Sequence, residues 1–156
     1  VITLTKEAPE LIGDVNAYRE KLEKLNTSVC LDKIEDRLMR VHFWDAAEAA
    51  AVREDFVRFA ALTYVRPQLE IVPTKKIDEF WHTFLIFTQM YREWCDKNWG
   101  EDFFFHHVPG HKGDGSWEMT KDLGLRIYGV EWQDSAQALS CGCNIPNPKP
   151  AATPRR

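Results

Sequence analysis

The stretch IDEFWHTFLIFTQMYREWCDKN, residues 77–98, decides the fold. It holds neither Pro nor Gly, Thr74 before it offers a cap, and Gly100 after it is placed to stop a helix. We therefore expect one helix over about 77–98. Trp81, Phe84, Thr88, Tyr91 and Cys95 lie on one stripe of that helix and read as the core side. Asp78, His82, Leu85, Gln89, Arg92 and Asp96 form the neighbouring stripe. Asp78 and His82, four residues apart, thus meet one turn apart at the edge of the buried face.

Working outward, other segments carry helical spacing too. Leu11, Ile12, Val15, Tyr18, Leu22 and Leu25 predict a helix over about 9–26, with Pro9 in its first turn. Leu31, Ile34, Leu38 and Val41 predict a second, ending near Phe43. Asp45 with Glu48 has the form of a capping box for a third, which runs through Val52, Phe56, Phe59 and Leu62 to about Val65 before Pro67. Residues 69–73 and 103–108 are too short for helices and read as extended, with 110–115 a loop. Ser116 is expected to cap a fifth helix from Trp117 to about Tyr128, stopped by Gly129. These elements predict an all-α bundle of about five helices in one domain, residues 1–132. Residues 133–156 read as an extended or disordered Pro-rich tail, because Asn144 to Pro150 carries three Pro in seven residues.

Composition restricts function without naming it. A length of 156 residues with 44% hydrophobic and 28% charged residues suits one globular domain. A net charge of −4 argues against a dedicated nucleic-acid binder. No apolar run reaches the about eighteen residues a membrane span needs, and no secretory start is visible, which predicts a cytoplasmic protein with free thiols. Cys30 and Cys95 read as buried small hydrophobes. Cys141 and Cys143 form a C-x-C pair, too few for a structural zinc site. Six Trp, nine Phe and four Tyr are sufficient to build a small core. Nucleophilic catalysis lacks a G-x-S-x-G elbow, and Gly110 to Gly115 lacks the G-K-[ST] end of a phosphate loop.

Three readings fit Asp78 and His82. They are a surface carboxylate–imidazole contact, a metal pair, or an acid–base pair in which Asp78 orients His82. His106 and His107 favour metal, since adjacent residues on an extended segment point to opposite faces and one of them turns readily toward His82. His111 is a further candidate ligand. Asp78, His82 and His107, with His106 or His111 in addition, would leave vacant positions on a divalent transition metal such as Zn or Fe. The competing reading is a non-catalytic interaction module, in which the Asp/Trp/His cluster is a structural network and the aromatic surface or the tail binds a partner protein.

The motif Pro73-Thr74-x-x-x-Asp78-x-x-Trp81-His82, followed by Tyr91, Cys95, Gly100 and His107-Val108-Pro109, resembles the domain of unknown function in the plant glycine-rich domain proteins and their bacterial relatives. The resemblance spans about residues 30–132 and is most specific in its central forty. It carries a motif rather than a reaction, and the glycine-rich segment has no counterpart here. It singles out Asp78, Trp81, His82 and His107, and implies that Trp81, Tyr91 and Cys95 wall the site.

Overall fold

A computed structural model describes residues 2–107 and 115–136. Seven α-helices make up the described chain, and no strand occurs among these residues: α1 (Ala8–Ile12), α2 (Val15–Thr27), α3 (Asp32–His42), α4 (Ala46–Val65), α5 (Lys75–Ile86), α6 (Thr88–Trp99) and α7 (Ser116–Leu123). A π turn, Gly124–Tyr128, follows α7 directly. The all-α expectation holds. His111, Cys141, Cys143 and the Pro-rich segment lie outside the described residues.

Two predicted helices are each broken into two. The 9–26 helix stops at Gly13 and restarts at Asp14, whose carboxylate accepts from the N–H groups of Asn16 (3.0 Å) and Ala17 (3.2 Å). Gly followed by Asp is a stop and a cap in sequence, and here both act. The 77–98 helix breaks at Phe87, whose backbone leaves the helical region at φ −85°, ψ 65°. Phe87 N–H donates to Phe84 O at 2.9 Å, and Phe87 O then accepts from Tyr91 N–H at 2.8 Å, so α6 starts afresh. Ile86, Phe87 and Thr88 are β-branched or aromatic and each gives up some helix propensity. In a straight helix the Cα atoms of Trp81 and Tyr91 would be about 15 Å apart. The break instead lets Trp81 Nε1 donate to Tyr91 Oη at 2.9 Å.

The centre of the bundle is α4, which packs against α2, α3, α5 and the π turn. Asp45 caps it by accepting from Glu48 N–H at 2.7 Å. The predicted return bond from Glu48 does not form, because that carboxylate pairs with Lys76 at the start of α5. Phe56 on α4 is fully buried among Phe80 (5.0 Å between ring centroids), Trp94 (5.5 Å), Phe84 (6.0 Å) and Trp81 (6.2 Å). Each such side chain contributes roughly 1.5–3 kcal/mol by leaving water. The 77–98 stretch thus furnishes the aromatic half of the core rather than its axis.

The fifth predicted helix ends in the π turn, and Gly124 explains why its backbone can lie so close to a ring. A Cβ there would come within 2.6 Å of Trp132 Cε3. Gly129 stops the element in the left-handed conformation, φ 69°. Cys30 is exposed, not buried, because it lies in the turn before α3; Cys95 is fully buried, and neither forms a disulfide. No helix among the described residues is long and apolar enough to cross a membrane.

Candidate functional site

The start of α5 is held from three directions. Thr74 Oγ1 accepts from Ile77 N–H at 3.0 Å, capping the helix. Lys75 N–H donates to Asp134 O at 2.7 Å and Ala136 N–H to Pro73 O at 2.9 Å, around a Thr74–Ser135 bridge. Asp78 therefore occupies a fixed first turn, where the N-terminal end of a helix favours a carboxylate. His82 follows one turn later.

Residues 103–107 bring the second histidine in. They alternate as an extended segment should, with Phe103, Phe105 and His107 on one face. Phe105 is pinned at both backbone groups: its N–H donates to Cys95 Sγ at 3.5 Å, and its carbonyl accepts from Tyr91 Oη. Burial pushes the Tyr91 phenol well above its usual pKa, which keeps it a neutral donor. Phe105 stacks on Trp81 at 4.5 Å, and His107 stacks on Trp81 at 4.2 Å.

His107 Nε2 then lies 2.7 Å from Asp78 Oδ1, while His82 Nδ1 lies 3.6 Å from Asp78 Oδ2. One carboxylate oxygen faces each imidazole. The side chains are 6% (His107), 19% (Asp78) and 49% (His82) exposed, so the cluster opens to solvent on the His82 side alone. His107 Nε2 is buried, and despite its closeness to Asp78 it has no aligned hydrogen-bond partner among the described residues. The contact lies off the N–H direction. One donor atom from each of Asp78, His82 and His107 falls within 4.8 Å of the others.

The imidazoles of His82 and His107 stack at 4.5 Å with planes only 9° apart. Lone pairs in parallel planes run side by side, so shared ligation of one ion needs His82 to turn out of the stack. Bonds of about 2.1 Å to one ion place donors at most about 4.2 Å apart, so a cluster whose donors lie within 4.8 Å of one another must close by no more than about 0.6 Å to reach that limit. The exposure of His82 and its long contact to Asp78 leave it free to move.

The structure brings together three of the five predicted ligands. His106 points away on the other face of its segment, 4.9 Å from the ring of Phe104, and takes no part in the cluster. Trp81, expected to wall the site, stacks on His107 at 4.2 Å. Tyr91 and Cys95, expected to wall the site too, bond to the backbone of Phe105. Phe105 itself is the residue that sequence reasoning missed. Its signal was available, since Phe103, Phe105 and His107 alternate along an extended run.

Among curated proteins and among solved structures none matches the chain. One protein family does, over residues 20–133, a span that includes every described member of the cluster. The chain belongs to the UCP032817-like family.

Proposed function

We propose that Asp78, His82 and His107 form a mononuclear divalent transition-metal site, with Fe(II) or Zn(II) as the ions that suit it. The observation that carries this is the buried Nε2 of His107, 2.7 Å from a carboxylate oxygen yet without a hydrogen bond to it. Buried imidazole nitrogens are nearly always satisfied, and two ligands converging on one ion have this close but misaligned geometry. Two His and one carboxylate on an open side leave coordination positions for water or substrate, which is what catalytic rather than structural metals need. Trp81 covers the other side of His107 and keeps water from it. Metal-assisted hydrolysis and oxidation both fit such a site. The motif from Pro73 to His107 supports kinship with the glycine-rich domain proteins, and Cys30 and Cys95, which form no disulfide, fit a reducing cytoplasm.

The parallel stacking of the imidazoles favours a second reading, a metal-free network in a protein-interaction module. Elemental analysis of untagged protein separates the two. The metal reading expects about one equivalent in the wild type and none in His107→Ala or Asp78→Ala that retain helical circular dichroism. No metal in any sample, and no uptake of added Fe, Zn, Mn or Cu, leaves the network.

A further inference from the structure

Behind His107 the redox-active rings of the core are in unbroken contact from the candidate site to an exposed tyrosine. Trp81 stacks on His107 at 4.2 Å. Trp81 Nε1 bonds to Tyr91 Oη at 2.9 Å, and the Tyr91 ring is 5.6 Å from Trp94. Trp94 is 5.2 Å from Trp99, and Trp99 is 6.2 Å from Tyr64. Phe56 bridges Trp81 and Trp94 a second time, at 6.2 and 5.5 Å. Burial changes in one direction along this path: Trp81, Tyr91 and Trp94 are buried, Trp99 is partly buried, and Tyr64 is 43% exposed. Of the four tyrosines, Tyr64 is the exposed one.

We infer that this chain is a discharge path, which carries an oxidising equivalent from the Asp78/His82/His107 cluster to Tyr64. Indole and phenol are readily oxidised side chains, and rings in contact exchange electrons without diffusing. An oxidant beside His107 removes one electron from Trp81. Trp94, Trp99 and finally Tyr64 refill the vacancy in turn. Tyr64 ends the sequence because it meets water, to which it loses its phenolic proton as it loses the electron. With a hydroxyl radical as the oxidant, the products are water and one neutral tyrosyl radical. Tyr91 is not a resting point, because its hydroxyl faces the Phe105 carbonyl, which is no base for its proton. Nor is Trp99: the Lys21 ammonium lies 5.5 Å over its ring and 4.2 Å over that of Tyr64, and opposes a positive charge on either. A neutral radical on Tyr64 escapes that penalty.

The path rests on the metal reading only for the origin of the oxidant, so it is tested without metal. A ruthenium photo-oxidant is tethered to His82→Cys in a chain whose Cys30, Cys141 and Cys143 are serine, and it is flashed with a quencher. The expected result is a tryptophan radical that decays as a tyrosyl radical grows. Tyr64→Phe, an exposed change that leaves the core alone, should abolish the tyrosyl signal and prolong the tryptophan radical about tenfold. Trp99→Phe and Trp94→Phe should each slow its transfer at least tenfold. A tyrosyl signal that survives Tyr64→Phe, or arrives as fast without Trp94 and Trp99, overturns the path. Iron-loaded protein given peroxide should then oxidise Tyr64 more in the wild type than in His107→Ala, read by peptide mass spectrometry. Equal oxidation there, after a positive flash experiment, leaves the path standing and removes the metal reading.

Discussion

Two polar clusters lean on this aromatic core, and they are built in opposite ways. Between α2, α4 and the π turn, Tyr18 donates to Tyr128, whose hydroxyl donates to the Arg58 carbonyl at 2.8 Å. Burial pushes both phenols above their usual pKa, so neither ionises, and each hydroxyl is satisfied by a protein group. Between α5 and the 103–107 segment, the His107 nitrogen is as well hidden but lacks such a partner among the described residues. A closed buried network fixes structure; a buried donor left open toward a carboxylate and a mobile imidazole is a place for something to bind.

The largest effect should come from removing the ring on which the open cluster leans. Trp81→Ala is expected to cost about 3–5 kcal/mol in denaturant unfolding, because it empties a site between Phe56, Phe105 and His107. If it costs under ~1 kcal/mol, the cluster is not seated on the core as described. Next, Asp78→Asn takes the charge from a ligand and should weaken metal binding at least about 100-fold, more than the loss of a supporting group costs, in a competition titration. Metal at a hundred times its Kd should stabilise the wild type by about 2.7 kcal/mol and this variant by no more than about 0.4 kcal/mol.

The closed cluster should respond the other way. Tyr128→Phe strands the Tyr18 hydroxyl and should cost about 1–2 kcal/mol while metal uptake is unchanged. Loss of uptake there would erase the contrast between the two regions. The smallest effect concerns Lys21, whose pKa burial lowers from 10.5 to about 8. The unfolded chain then binds more protons between pH 8 and 10.5, so this residue's contribution makes stability rise with pH across that window. Relative to Lys21→Met, the wild type should gain roughly 1–3 °C in melting temperature between pH 7 and 10.

Much of the bundle could be read in advance where local chemistry and tertiary packing agree. Asp45, Pro67 and Gly129 marked ends that the structure keeps. Phe87 did not announce itself, because no Gly or Pro marks it and the apolar stripes run on through it. The break depends on the rings of α5 and α6 both turning toward Phe56, which is a fact of packing and not of spacing. The same holds at the cluster. Helical spacing paired Asp78 with His82, yet the tighter contact of Asp78 is to His107, 29 residues on. That contact depends on Phe105 being pinned by Cys95 and Tyr91, side chains that spacing could assign only to the core side of a helix.

The bonds between residues 73–75 and 134–136 have a consequence in time rather than in space. During synthesis, the helix that bears Asp78 and His82 is made long before Asp134 arrives to accept from Lys75. Its first turn has the Thr74 cap from the start, but it gains these two bonds only when almost all of the described chain has emerged. An ion offered to the nascent chain before then meets a site that lacks this support.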